Sequence, residues 1–99
     1  MGIQYKAVVG VGVMATELAK DYDEWEEKYG DEWETLELVA PYYDAPFSDC
    51  LAGVVVYQVE YGAIDIDMTS AQEALHTAMN KFHSLTGKTG KVFLSTEGY

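Results

Sequence analysis

The sequence has no arginine, a single cysteine, two prolines and no apolar run of the roughly 20 residues that a bilayer-spanning helix needs. Because Cys50 has no second cysteine to pair with, an internal disulfide is excluded, which is typical of a reducing compartment. The N-terminal residues also lack the basic, apolar and small-residue zones of a signal peptide. These absences predict a cytoplasmic protein.

Acidic residues are abundant. Seventeen aspartates and glutamates face six lysines, so the net charge is −11, and residues 17–49 alone hold twelve acids and two lysines. A chain of this kind repels nucleic acid and anionic membranes, so neither is expected to bind it directly. The expected partners are basic protein surfaces.

The chain is long enough for one hydrophobic core. Its 99 residues are 48% hydrophobic and 13% aromatic, which argues against disorder despite the charge. We therefore expect a single domain over residues 1–99.

The first half of the chain changes from a strand pattern to a helix pattern. Alternating apolar residues predict a strand from Ile3 to Val13. From about Ala15 the apolar residues recur every three or four positions, which predicts a helix capped by Thr16 and ended by Gly30. Six residues form its predicted apolar stripe: Met14, Leu18, Tyr22, Trp25, Tyr29 and Trp33.

Two further strands are predicted in the middle of the chain. Residues 35–40 form a short strand, which is followed by an aromatic loop over residues 41–49. Residues 51–61 form the most apolar strand, which is typical of a central position in the sheet. Gly62 then marks either a bulge or a turn, and a turn would add a fifth strand.

The last part of the chain predicts a helix and a strand. A capping box over residues 69–72 opens the helix, Gly87 ends it, and residues 91–95 form the strand. The order strand, helix, strand, strand, helix, strand predicts an α+β fold. The ferredoxin-like βαββαβ arrangement, an antiparallel sheet with two helices on one face, is the first choice.

Residues Gly10 to Ala15 match the dinucleotide-binding pattern G-x-G-x-x-A. Glu17 and Asp21 follow at the predicted helix start, where they would repel a pyrophosphate, so close packing through small residues is favoured instead. Gly10 to Met14 also resembles the first strand and loop of an ACT domain. That resemblance implies a small amino-acid ligand at a dimer edge, although Ala15 and Thr16 stand where the family has Pro-Gly.

The side chains that could act as nucleophiles or metal ligands give little support to a catalytic function. His76 and His83 lie two helical turns apart, about 10.5 Å, which is too far to share one metal ion without other ligands. Asp49 precedes Cys50 and should raise the pKa of its thiol, so a catalytic cysteine is not expected. We predict no cofactor and no metal, with acid–base chemistry at the histidines as a lesser alternative.

Residues 16–34 are the main candidate site. They carry nine acids and two lysines, and a continuous helix would spread this net −7 over about 27 Å. That charge density approaches the one charge per roughly 3.4 Å of a single DNA strand. The segment therefore predicts a surface that imitates nucleic acid.

The sequence thus predicts a non-enzymatic acidic module that inhibits a partner as a decoy, by occupying its basic surface. Small phage-encoded inhibitors of CRISPR or restriction complexes act in this way as a class. The alternative is a ferredoxin-like domain that binds a small molecule, ACT-like, or resembles a small isomerase or monooxygenase; a homodimer is compatible with both. The predicted partner-binding residues are Glu17, Asp21, Asp23, Glu24, Glu26, Glu27, Asp31, Glu32, Glu34, Tyr42, Tyr43, Asp44 and Asp49.

Overall fold

The computed structural model describes residues 5–98, so the predictions made for Ile3, Gln4 and Tyr99 lie outside the described residues. Short 3₁₀ turns occur at Ala15–Glu17, Gly30–Glu32 and Phe47–Asp49. The strands and helices are β1 (Tyr5–Met14), α1 (Tyr22–Tyr29), β2 (Glu37–Val39), β3 (Leu51–Val59), α2 (Met68–Thr86) and β4 (Lys91–Gly98).

The four strands form one antiparallel sheet in the order β2-β3-β1-β4. The two central strands are the apolar ones, and α2 packs across both of them. The predicted α+β class is therefore confirmed at the level of a four-stranded antiparallel sheet with two helices. None of the helices within residues 5–98 has the length and apolar character needed to cross a membrane.

The sheet is strongly curled. The end of β4 reaches the residues that follow β2, although these two strands lie at opposite edges of the sheet. The backbone N–H of Gly98 donates to the carbonyl of Ala40 at 3.2 Å, and the Thr96 hydroxyl donates to the carbonyl of Pro41 at 2.8 Å. These bonds bring the two edges together and leave a concave face inside the curl.

Glycines allow β1 and β3 to approach closely at the curl. Gly12 pairs with Gly53, and a Cβ on Gly12 would collide with the carbonyl oxygen of Ala52 and lie 2.7 Å from Cα of Gly53. The register also shifts between Val9 and Gly10, as at a β-bulge.

The structure places most of the Gly10 to Ala15 motif within a strand. Gly10, Gly12 and Met14 belong to β1 itself, so the glycines do not form a turn between a strand and a helix. The turn that the dinucleotide-binding pattern requires at these glycines is therefore not formed. The glycines serve close packing, as the competing interpretation expected, but between two strands and not between a strand and a helix.

The main core lies between the sheet and the helices. Ala78 and Phe82 of α2 pack against sheet residues such as Val11, and Trp25 of α1 joins the same cluster together with Leu36. Ala78 and Phe82 lie four residues apart and therefore on the same face of α2. Since α1 and α2 share one core, the acidic segment is anchored through Trp25.

The first helix begins later than predicted. It starts at Tyr22, and its cap is Asp21, whose carboxylate accepts a hydrogen bond from the Glu24 N–H at 2.9 Å. Asp21 has an extended backbone, with φ of −156° and ψ of 178°, and this interrupts a continuous helix, while the N–H of Ala15 in the preceding turn donates to the carbonyl of Cys50 at 2.9 Å. The Thr16 cap is thus wrong, whereas the helix end at Gly30 is confirmed.

The predicted aromatic stripe is only partly a core feature. Leu18 and Trp25 are buried, and Tyr29 is half-buried. The other three residues of the stripe are exposed: Met14, Tyr22 and Trp33. The interruption of the helix explains the difference, because the residues on either side of α1 do not continue its spiral.

The second half of the chain follows the prediction more closely. Gly62 lies after β3 in a left-handed conformation with φ of 78°, so it is a turn residue, yet residues 5–98 contain no fifth strand. The cap of α2 is Asp67, not Thr69, because the Asp67 carboxylate accepts from Ser70 N–H at 3.0 Å. Gly87, with φ of 74°, ends α2 as predicted.

Candidate protein-interaction surface

The acidic charge lies on a shorter helix than the sequence predicted. α1 has eight residues, about 12 Å of helix, with four acids and one lysine and hence a net charge of −3. This is still about one charge per 4 Å. The predicted 27 Å rod is wrong, but the charge density of its central part is retained.

Five of the predicted carboxylates already have partners within the chain. Glu24, for example, accepts from the Lys20 N–H at 3.1 Å and pairs with Lys28 at 3.4 Å. Such groups stabilise local structure and are less free to meet a partner. The other four pairs are Glu17 with the Met14 N–H, Asp21 with the Glu24 N–H, Glu26 with the Tyr22 hydroxyl and Asp49 with the Tyr42 hydroxyl.

The remaining six carboxylates are exposed and, within residues 5–98, have no hydrogen-bond or salt-bridge partner. Their charge therefore faces water and is available to a basic surface. The predicted site therefore contains two kinds of acid: those that bond within the chain, and those that are exposed and can contact a partner protein. The six are Asp23, Glu27, Asp31, Glu32, Glu34 and Asp44.

The structure joins one end of the acidic segment to the 41–49 loop. The 3₁₀ turn Ala15–Glu17 packs against the turn Phe47–Asp49, which places Glu17 beside the loop. Tyr42 and Tyr43 are exposed there as predicted. The acids that follow α1, over residues 31–34, extend from the other end of the helix.

A groove lined by aromatic rings lies beside α1, and the sequence did not predict it. This aromatic groove has a volume of about 240 Å³. Trp33 is 69% exposed at its margin, beyond the helix end that the sequence predicts at Gly30. Its position after Gly30 was the available signal, because a residue beyond the helix end leaves the apolar stripe. The lining residues are Tyr22, Trp25, Glu26, Tyr29, Gly30, Trp33, Leu36, Glu37 and Leu38.

Two other grooves bear on the ligand-binding alternative. One of about 320 Å³ lies at an end of the curled sheet, lined by Gly12, Met14, Glu17 and Lys91 among others. A second of about 450 Å³ lies between β3 and α2. Neither is lined by a histidine.

The candidate catalytic groups are poorly placed for chemistry. His76 and His83 are exposed on α2. Cys50 is buried, its thiol donates to the carbonyl of Pro46 at 3.4 Å, and burial, followed by the charge of Asp49, raises the pKa of that thiol. Within the described part of the chain, no group of three His, Cys, Asp or Glu side chains is arranged to hold a metal ion.

Charged side chains cluster near the seam where the sheet closes. Lys6 and Glu97 form a salt bridge at 3.2 Å between β1 and β4. Burial raises the pKa of Glu37, the nearby Glu97 charge raises it further, and Lys6 opposes both effects. The ionised form of Glu37 is therefore less favourable in the fold than in water.

This cluster predicts a pH-dependent gain in stability for Glu37→Gln. Because folding raises the pKa of Glu37 above 4.5, its protonated form favours the fold, and this contribution is lost as the pH rises through the folded value. Glutamine imitates the protonated form. We expect the variant to be more stable than the natural protein at neutral pH and to lose that advantage as the pH falls below 4.5, as measured by urea unfolding at a series of pH values.

The cap of α2 supplies a control of opposite sign. Hydrogen bonds from Ser70 lower the pKa of Asp67 below 3.8, so its charge supports the fold above that pH. Asp67→Ala should be less stable at neutral pH and should approach the natural protein under acid conditions. A Glu37→Gln variant that loses stability at neutral pH would contradict the cost assigned to the charge at the seam.

Comparisons of the chain with protein-family models, with curated proteins and with solved structures find no match. The function is therefore inferred from the exposed carboxylates and aromatic rings themselves.

Proposed function

We propose that the protein is a non-enzymatic acidic interaction module that inhibits a partner as a decoy. It presents nucleic-acid-like charge to the basic surface of a partner, such as a nucleic-acid-binding protein or complex. The observation that carries this proposal is the set of six exposed, unpartnered carboxylates between Asp23 and Asp44, on a chain of net charge −11. A phage-type inhibitor acting in the host cytoplasm is the form of this function that we favour.

Charge spacing supports this choice. The charge of α1, about one per 4 Å, is close to one per roughly 3.4 Å along a DNA strand. A field of one sign steers a basic partner toward the surface and speeds association. Lys28, which pairs with Glu24, is already counted in that net charge.

Exposed aromatic rings support a protein partner in particular. Trp33, Tyr22 and Tyr43 are each more than half exposed close to unpaired acids in the sequence. Tyrosine and tryptophan contribute much of the binding energy at protein interfaces, where they lose little conformational entropy. A surface made only for solubility would not need them.

We also propose the ferredoxin-like arrangement for the fold. The order β2-β3-β1-β4, with three antiparallel pairs, and the shared core of α1 and α2 support it. The curled sheet and the short first helix are particular to this chain. This arrangement leaves the acidic segment on the connection between β1 and β2.

A small-molecule-binding function is the alternative, and one groove favours it. The groove at the end of the curled sheet carries Glu17 and Lys91, an acid and a base that suit a zwitterion such as an amino acid. The Glu17 carboxylate, however, already accepts from the Met14 N–H at 3.2 Å. Saturable binding of amino acids that is unchanged when the exposed carboxylates are replaced by lysine would favour this alternative.

The decoy proposal is tested by reversing charges that have no hydrogen-bond or salt-bridge partner within residues 5–98. In the variant Asp23→Lys, Glu27→Lys and Asp31→Lys, each replacement adds two positive charges, so the net charge becomes −5. We expect it to lose capture of basic, nucleic-acid-binding proteins from a nuclease-treated bacterial lysate. The natural protein should release them between about 50 and 200 mM salt and should displace labelled DNA from them.

A matched control separates the surface from the total charge. The variant Glu60→Lys, Glu73→Lys and Asp65→Lys also has net charge −5, but its changes lie outside residues 17–49. It should retain capture and displacement. Equal behaviour of the two variants, or capture that is insensitive to salt, would contradict a decoy function of the acidic surface.

A further inference from the structure

We propose that the aromatic groove beside α1 receives an arginine side chain of the basic partner. This inference rests on the decoy function proposed above, and it adds a specific receptor to the general charge. The combination that leads to it is a cluster of aromatic rings, two of them exposed, with two carboxylates lining the same groove.

The rings offer faces on which a planar cation can stack. Trp25 and Tyr29 form the inner part of the groove, with ring centroids 5.0 Å apart and an angle of 45° between the ring planes. Trp33 and Tyr22 form its outer part and are 69% and 53% exposed. Guanidinium groups stack on aromatic faces and are attracted by their negative surfaces, most strongly by tryptophan.

Carboxylates are placed to meet the charge of the same cation. One oxygen of Glu26, Oε1, accepts from the Tyr22 hydroxyl at 2.7 Å. Its other oxygen, Oε2, lies close to Gly30, since a Cβ on that glycine would be 3.1 Å from it, and both residues line the groove. Glu37 lines the groove as well. The planar guanidinium group of arginine can stack on the rings while its N–H groups donate hydrogen bonds to a carboxylate.

Other occupants fit less well. A nucleobase could stack on the rings, but its phosphates would approach a segment of high negative charge. A purely apolar side chain would leave Glu26 and Glu37 beside it without compensation. A lysine carries the charge but cannot stack as a plane. Arginine is the side chain that satisfies both the rings and the carboxylates.

The inference is tested with short peptides and the full chain. The probes are three blocked glycine-rich peptides that differ only at three positions, which hold arginine, lysine or citrulline. Binding is followed by NMR through the indole N–H signals of Trp25 and Trp33. We expect the arginine peptide to bind best and Trp33→Ala to weaken it about fivefold to thirtyfold. Trp33→Phe should retain most of the affinity.

Tyr43→Ala is the matched control, since Tyr43 is 60% exposed but is absent from the groove lining. It should bind the arginine peptide as the natural protein does. If Trp33→Ala and Tyr43→Ala bound the arginine peptide with equal affinity, or if the natural protein bound the arginine and lysine peptides equally, the proposed arginine site would be wrong. If the variant with Asp23, Glu27 and Asp31 replaced by lysine nevertheless lost capture of basic proteins, the decoy proposal would stand without the arginine receptor. If the natural protein bound neither cationic peptide, both would fall.

Discussion

Replacing Phe82 by alanine is expected to lower the free energy of unfolding by about 3–5 kcal/mol. Phe82 is fully buried, and it and Ala78 are the buried residues of the nineteen-residue helix α2. Its ring packs close to Val11 of β1, beneath Gly90. The attachment of α2 to the sheet therefore depends heavily on one side chain. The total free energy of unfolding of a native domain is about 5–15 kcal/mol, so this loss would remove a large part of it.

Urea unfolding followed by circular dichroism measures this loss. Phe82→Leu, which keeps most of the buried volume, should lose much less, and the exposed neighbour Lys81→Ala should change little. A loss below about 1 kcal/mol for Phe82→Ala would show that α2 is held by other contacts. Such a result would contradict the core described above.

The second helix was predictable from the sequence because its signals are local. Its apolar positions recur at helical spacing, and Gly87 supplies the left-handed residue that ends it. Its start was misplaced by two residues because Asp67 and Thr69 are both acceptable caps. The order of strands and helices along the chain followed from the change of apolar period, and it holds in the described part of the chain.

The first helix and the curl were not predictable because they depend on contacts distant in sequence. The turn Ala15–Glu17 packs against the turn Phe47–Asp49, and the chain is extended at Asp21, so the helix that the periodicity of residues 14–33 favours is interrupted. Likewise, the meeting of Gly98 with Ala40 requires two sheet edges that the sequence cannot place together. Local propensity yields to tertiary contacts in such cases.

The candidate site was predictable in its charge but not in its arrangement. Composition identified all thirteen residues as a surface, and twelve of them are exposed, with Glu24 half-buried. Composition could not show which carboxylates have partners within the chain, since that depends on individual hydrogen bonds. The aromatic groove was missed because Tyr22 was assigned to the core, and because the sequence did not show that Trp33, beyond the helix end, lies beside it.

Replacing Gly12 by alanine is expected to destabilise the protein by about 3 kcal/mol or more, at or beyond the upper end for overpacking. The new Cβ would meet the Ala52 carbonyl oxygen and Cα of Gly53, both backbone atoms that cannot rotate away. β1 and β3 would have to separate at the centre of the sheet. Gly53→Ala should behave in the same way, because its Cβ would meet the carbonyl of Val11.

Gly30→Ala is the control for the general effect of adding a methyl group. Gly30 has helical angles, φ of −57° and ψ of −31°, and its Cβ would meet only the flexible end of Glu26. This variant should gain about 0.4–1 kcal/mol, since alanine restricts the unfolded chain. If the free energy of unfolding falls in Gly12→Ala and rises in Gly30→Ala, the glycines of β1 are needed for the close approach of β1 and β3 in the curled sheet. A neutral Gly12→Ala would mean that β1 and β3 lie farther apart than the structure shows, and the closure between Gly98 and Ala40 would then need another cause.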